Sequence, residues 1–128
     1  MKRITIIILL VQLMFPLFAW DGTVAKSYAG GDGSAEHPFE IATAEQLALL
    51  AHRTNDGENG ENVLHYVLTA DIDLLCVRDG DTLSWTPIGL GPSTSEDDRP
   101  IYGWRYFQGV FDGKGHTISN LYIRTDSC

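Results

Sequence analysis

The chain of 128 residues contains nine Lys and Arg against seventeen Asp and Glu, which gives a formal net charge of −8 at pH 7. This length fits one small domain, and the acidity argues against binding nucleic acid or an anionic membrane surface. Only two cysteines occur, Cys76 and Cys128. Two are too few for a disulfide scaffold, although an exported chain could form one disulfide bond.

Residues 1–19 have the pattern of a secretory signal peptide. Two basic residues precede an apolar run at 4–18, and Ala19 supplies a small residue for cleavage. A membrane anchor is the alternative, but the run is shorter than the roughly 20 apolar residues of a spanning helix, and Pro16 interrupts it. We therefore expect export, no membrane span after cleavage, and a mature domain at 20–128 with a net charge of 7 − 17 = −10.

One helix is predicted, after a loop rich in Gly, Ser and Pro at 28–38. The sequence Thr43-Ala-Glu-Gln46 is a capping box, in which the Thr hydroxyl and the Gln side chain satisfy free amides of the first turn. Leu47 and Leu50 then recur at helical spacing. The pattern predicts a helix at 44–54.

The segment 55–66 resembles a calcium-binding loop only superficially. If Asn55 is the first position, Gly60 falls correctly at the sixth, but Gly57 at the third and Tyr66 at the twelfth supply no carboxylate. We interpret this segment as a solvated acidic loop.

From residue 63 onward the apolar residues alternate with polar ones instead of recurring at helical spacing. Leu64, Tyr66 and Leu68 alternate, and the sequence Asp71-Ile-Asp73-Leu sets two apolar residues against two carboxylates. This pattern predicts strands with one face in a core.

The stretch 107–123 contains a tight turn between apolar segments. The sequence Asp112-Gly-Lys-Gly115 has the chemistry of a sharp turn, and Ile118 and Leu121 would face opposite sides of a straight strand. A bend at Asn120 would let Leu121 continue the inward face. Short strands joined by such bends suggest a coil of a β-solenoid; an antiparallel hairpin around the Asp-Gly turn is the alternative.

Five blocks, in this order, resemble the N-terminal region of bacterial GLUG-motif proteins, which are secreted or surface proteins, and similar segments precede the catalytic part of IgA-specific metallopeptidases. The blocks are 28–34, 38–47, 70–74, 85–89 and 107–121. The resemblance implies a mainly β domain, the start of a right-handed parallel β-helix (solenoid) with one short N-terminal capping α-helix. The repeated Gly-Leu units of that family are absent from this chain, so we expect a cap domain truncated at its C-terminal side.

The resemblance also singles out ten structural positions within the last two blocks. They are Trp85, Pro87, Gly89, Phe107, Gly109, Phe111, Asp112, Gly113, Gly115 and Asn120. We assign the two large aromatic side chains at 85 and 111 to the core.

No catalytic constellation is evident in the sequence, so we predict no catalytic, cofactor-binding or metal-binding residue. The carboxylates that could act as calcium ligands or as an acid and base on such a fold are Asp71, Asp73 and Asp112. Alternation with apolar residues explains the first two as a solvent-facing side of a strand, and the turn explains the third.

Three aromatic residues occupy alternate positions: Tyr102, Trp104 and Tyr106. On an extended segment they would lie on one face, where they could stack on sugar rings. Alternatively they cover the open side of the domain, since large apolar side chains are usually buried.

We therefore predict a non-enzymatic, exported surface, adhesion or structural module, with a host or cell-surface glycan or protein as partner and no cofactor. The alternative is a fragment of a carbohydrate-active β-helix protein that binds or cleaves polysaccharide. A strand at 121–123 should leave an unpaired edge, so we also expect edge-to-edge self-association, to which Cys128 could add an intermolecular disulfide.

Overall fold

The computed structural model describes residues 19–56, 60–89, 93–94, 100–101 and 106–124. One α-helix and nine short strands occur in these ranges. In chain order they are β1 (Phe39–Ile41), α1 (Ala44–Asp56), a 3-10 turn (Glu61–Val63), β2 (His65–Leu68), β3 (Ile72–Asp73), β4 (Val77–Arg78), β5 (Asp81–Thr82), β6 (Ser93–Thr94), β7 (Pro100–Ile101), β8 (Val110–Asp112) and β9 (Ile118–Ser119).

The strands form four separate small sheets. A parallel sheet has the order β1-β2-β8, with Phe39, Tyr66 and Phe111 in register across it. Strands β3 and β9 form a second parallel pair, whereas β4 with β5 and β6 with β7 pair antiparallel. Parallel pairing therefore joins segments that are distant in sequence.

The predicted right-handed parallel β-helix is wrong. The strands are two to four residues long, the sheets contain two or three strands, and no closed solenoid is evident in the described ranges. Alternating apolar residues misled the prediction because they are typical of any half-buried strand, whatever its partners. Two of the four sheets are antiparallel pairs, which the β-helix did not include.

The predicted helix is confirmed, and α1 extends two residues beyond the predicted end. The Gln46 amide donates to the Thr43 hydroxyl oxygen at 3.2 Å, and the Gln46 side-chain oxygen accepts from the Ala42 amide at 2.8 Å. These bonds satisfy amides that have no partner within the helix. Leu47 and Leu50 lie on the buried face, as the helical spacing predicts.

The core lies between α1 and the parallel strands. It combines Leu50 of the helix with Tyr66 and Leu68 of β2, and it includes Trp85 as predicted. Phe111, which the sequence also assigns to the core, is 36% exposed. That assignment is wrong because β8 is an edge strand, and no strand of the described residues covers its outer side.

The turn after β8 is present, but it does not form a hairpin. Lys114 and Gly115 have φ values of 51° and 77°, and the Lys114 amide donates to the Asp112 carboxylate at 2.9 Å. Because β8 pairs with β2 and β9 pairs with β3, the hairpin alternative is wrong.

The bend that follows β9 is also present, since Asn120 has a φ of 57°. The strand predicted at 121–123 is not formed. Instead, the Tyr122 carbonyl accepts from the Trp85 amide at 2.7 Å, and the Arg124 amide donates to the Ser84 hydroxyl at 2.8 Å. This segment is thus held by two separate bonds to 84–85 instead of a strand ladder.

Candidate functional site

Two carboxylates next to β3 hold the segment around β9. Asp71 accepts from the Thr117 amide at 2.9 Å and lies 3.3 Å from Nδ1 of His116. Asp73 accepts from Nδ2 of Asn120 and from the amide of Leu75, both at 2.9 Å. These exposed carboxylates therefore act as polar links between parts of the chain more than forty residues apart.

The same hydrogen bonds hold the pKa values of these carboxyls low. The Thr117 amide and then His116 lower the pKa of Asp71, and the Asn120 amide group and the Leu75 amide lower the pKa of Asp73. A general acid needs a raised pKa, so that it carries a proton at neutral pH. The arrangement instead favours ionised carboxylates that accept hydrogen bonds.

Asp112, the third carboxylate that could act as an acid or base, also has a lowered pKa. The backbone amide of Lys114 and the charge of its ammonium group, 3.5 Å away, lower the pKa of this carboxyl. The structure does not bring Asp112 into a hydrogen bond with Asp71 or Asp73. Its contacts are those of a turn.

We expect the double variant Asp71→Asn, Asp73→Asn to lose stability less steeply in acid than the wild type. Both folded pKa values lie below the ordinary 3.8, so the folded chain binds fewer protons than the unfolded chain. The stabilisation is complete above about pH 5 and is lost as pH falls through the lowered folded values. Asn keeps an acceptor oxygen but does not titrate.

The measurement is the midpoint of urea unfolding, followed by circular dichroism from about pH 6 down to about pH 2. The matched control is Glu36→Gln in an exposed loop, which should retain the wild-type slope. Equal slopes for the double variant and the wild type would show that these bonds do not couple to folding.

A cluster of aromatic rings surrounds Glu61. The Tyr28 hydroxyl donates to the Glu61 carboxylate at 3.1 Å, and the Tyr66 hydroxyl donates to the Glu61 backbone carbonyl at 2.6 Å. The Arg53 guanidinium lies 3.6 Å from the same carboxylate. The ring centroid of Phe107 lies 5.9 Å from that of Tyr66. Sequence reasoning missed Glu61, because an acidic residue in a polar loop gives no local signal of a buried partner.

Both phenols of this cluster are neutral donors. Burial raises the pKa of Tyr66 to about 12, and burial, followed by the nearby Tyr66 and Glu61, raises the pKa of Tyr28. A neutral phenol donates one hydrogen bond, which is what Glu61 receives from each ring. The cluster is therefore arranged for packing and hydrogen bonding.

The block that contains Trp85, Pro87 and Gly89 is tied to the end of α1. Asn55 donates from Nδ2 to the Pro87 carbonyl at 2.9 Å and accepts from the Gly89 amide at 2.8 Å. Gly89 has a φ of 87°, which favours glycine. From the sequence, Asn55 stands out only as the first position of the calcium-loop comparison, because its spacing to this block gives no signal of the contact.

The structural positions around β8 and β9 differ in how much space surrounds them. A Cβ at Gly109 would overlap the Leu64 carbonyl oxygen, so glycine is required for the close approach of the two segments. A Cβ at Gly113 would have no atom within 4 Å, and the structure gives no packing reason for glycine there.

Only one of the three candidate glycan-contact residues lies within the described structure. Tyr102 and Trp104 lie outside the described residues. Tyr106 is 43% exposed, and its carbonyl accepts from Nδ2 of the buried Asn62 at 2.9 Å. A glycan contact at these three residues therefore stays a prediction.

An open apolar face lies at the edge of the two parallel sheets, and we define it by Phe111, Ile118 and Leu121. These side chains are 36%, 39% and 58% exposed. Together with core residues such as Leu50 and Trp85 they line a cavity of about 300 Å³. Contiguous apolar surface of this kind is typical of interaction sites.

The described ranges contain neither a metal site nor a membrane-spanning helix. No cluster of three or more His, Cys, Asp or Glu side chains could hold a metal ion there. Among the same residues, none of the helical structure is both long enough and apolar enough to cross a bilayer.

No family model matches the chain, and no solved structure matches it at a significant level. Over 98% of its length the chain is 28% identical to part of a protein from Evansella cellulosilytica that is named as a Gly-rich membrane protein. Over 80% of its length it is 33% identical to part of halomucin from Haloquadratum walsbyi. The chain spans 13% and 1% of these two relatives. The similarities indicate a surface or extracellular protein.

Proposed function

We propose that this chain is a non-enzymatic structural or adhesion module of an exported surface protein. The main support is that the carboxylates that could act as acid or base are hydrogen-bonded to other parts of the fold. Asp71 and Asp73 hold β9, and Asp112 holds the turn before it. The resemblance to the N-terminal region of GLUG-motif surface proteins belongs to the same proposal.

The electrostatics of these groups support a structural role. Glycoside hydrolases that use two carboxyl groups need one of them protonated near neutral pH. Here the pKa values of all three carboxyls are lowered, in each case by amides or side chains that also connect chain segments. Protonation of any of these three carboxylates would weaken a hydrogen bond that stabilises the fold.

The acid-rich exterior and the open apolar face support a role in attachment. The net charge of −8 favours solubility outside the cell, and an apolar face at a sheet edge offers a surface on which another protein can pack. Neither feature requires chemistry at a reacting centre.

The activity test is incubation of the exported chain with pectin, alginate, mucin glycans and casein. We expect no unsaturated sugar products, no new reducing ends and no cleaved casein. Product formation that disappears in Asp71→Ala or Asp73→Ala would overturn the non-enzymatic proposal, since both variants remove a candidate acid–base group.

Surface exposure is tested separately by adding proteinase K to intact cells that express the chain with its own N-terminal segment. We expect digestion of the chain while a cytoplasmic protein of the same cells stays intact. Protection of both proteins until the cells are lysed would contradict a location at the cell surface.

A further inference from the structure

We propose that the open apolar face is a dimer interface, in which β8 of one copy pairs antiparallel with β8 of a second copy about a two-fold axis. The first observation is that one edge of β8 has no strand partner in the described ranges. The Val110 amide donates to the Leu64 carbonyl at 3.1 Å, toward β2. Because alternate residues of a strand direct their backbone groups to opposite sides, the amide and carbonyl of Phe111 face away from β2.

The edge of β9 is open in the same way. The carbonyls of Thr117 and Ser119 accept from the amides of Ile72 and Leu74 at 2.8 and 2.9 Å. The backbone groups of Ile118, between them, therefore face away from β3. No strand in the described ranges pairs with either outer edge. Such edges are templates for another strand.

The opposite edge of the three-stranded sheet is already covered. On β1, the Glu40 amide donates to the Gly30 carbonyl at 2.9 Å, and the Glu40 carbonyl accepts from the Ala29 amide at 2.8 Å. A head-to-tail contact, in which β8 of one copy meets β1 of the next, would have to displace this pairing. The open edge of β8 therefore pairs with β8 of a second copy. Such a contact uses the same surface on both copies and gives a closed, two-fold dimer instead of a growing filament.

The distribution of apolar residues agrees with this interface. Of the ten exposed large hydrophobic residues in the described ranges, six lie between 110 and 123, the segment that contains the open apolar face. Stable interfaces bury about 800 Å² on each partner, so the dimer needs this face together with its neighbours. These neighbours are Val110, Tyr122 and Ile123.

The local charge also permits two copies to approach. The segment 106–124 contains two basic residues and one acidic residue, whereas 60–89 contains one basic and five acidic residues. Because the chain as a whole is acidic, two copies repel each other least when segment 106–124 of one copy faces segment 106–124 of the other. Within one copy, Nζ of Lys114 lies 3.5 Å from the Asp112 carboxylate. In the dimer, Lys114 of each copy can pair with Asp112 of the other.

The test is sedimentation and light scattering of the chain, purified from the exported fraction of an expression host, over a concentration series with reductant present. We expect twice the monomer mass at high concentration, with dissociation on dilution. Leu121→Lys should be monomeric, because removing a charge from water into an apolar interface costs free energy. Val63→Lys makes a similar charge change at an exposed apolar residue outside the face and should remain dimeric.

Amide hydrogen exchange locates the contact. The Phe111 amide should be protected in the dimer and should exchange at least tenfold faster on dilution, whereas the Val110 amide, bonded to Leu64, should be protected in both states. Circular dichroism of both Lys variants serves as the control for folding.

Four outcomes would overturn the proposal. A chain that is monomeric at every concentration would show that the open apolar face does not bind a second copy. A dimer that forms only when reductant is left out would be a disulfide dimer. Open-ended oligomers, or a Leu121→Lys variant that is still dimeric, would show that association uses another surface.

Discussion

Replacing Tyr66 with alanine is expected to lower the free energy of unfolding by about 3–5 kcal/mol, the range for truncating a buried aromatic side chain. Tyr66 is 1% exposed and lies in the central strand β2. Its ring centroid lies within 6 Å of those of Tyr28, Phe39 and Phe107. Alanine would leave a cavity at the point where the parallel strands and α1 meet.

The conservative variant Tyr66→Phe separates packing from hydrogen bonding. It keeps the ring but removes the bond from the hydroxyl to the Glu61 carbonyl, which is 2.6 Å long. We expect a loss of about 1 kcal/mol, typical of one neutral hydrogen bond. Urea unfolding followed by circular dichroism measures both variants. Equal losses for the two would show that the hydroxyl, and not the ring, dominates the contribution of this residue.

The second large effect is expected for Gly31→Ala, at about 3 kcal/mol, because backbone strain and steric overlap act together. Gly31 has a φ of 82°, and a Cβ at this position would overlap the Pro38 carbonyl oxygen. That contact closes the loop 28–38, which brings Gly30 against Glu40 of β1. Relief of the overlap requires the loop and β1 to separate.

Gly80→Ala is the matched control for Gly31→Ala. Gly80 has a similar φ of 85°, but nothing lies within 4 Å of a Cβ there. Only the backbone strain remains, so we expect a loss of about 1 kcal/mol, by the same unfolding measurement. Similar losses at the two glycines would contradict the steric explanation for Gly31.

Local features of this chain could be predicted because their chemistry is complete within a few residues. The helix α1 begins where Thr43 and Gln46 satisfy its first amides, and Leu47 and Leu50 place its apolar face. The turn at 112–115 likewise depends on its own Asp and Gly residues. Such interactions need no information about the rest of the fold.

The choice of strand partners could not be predicted in the same way. Alternating apolar residues identify a strand but not the strand beside it, because each residue of an extended segment offers the same backbone groups. The sequence pattern therefore suggested a β-helix, whereas the chain forms small separate sheets. It also placed Phe111 in the core, although β8 lies at an edge.

The acidity, the helix α1, the turn at 112–115 and the residues that could carry charge follow from the amino-acid sequence alone. The tertiary structure decided what those charges do. Asp71 contacts the Thr117 amide across 46 residues, and Glu61 accepts from Tyr28 across 33. It also decided that β8 and β9 lie at the edges of the parallel sheets, where no strand of the described ranges pairs with their outer sides. Long-range contacts depend on how the elements pack, and burial is a property of the packed assembly that no single segment encodes.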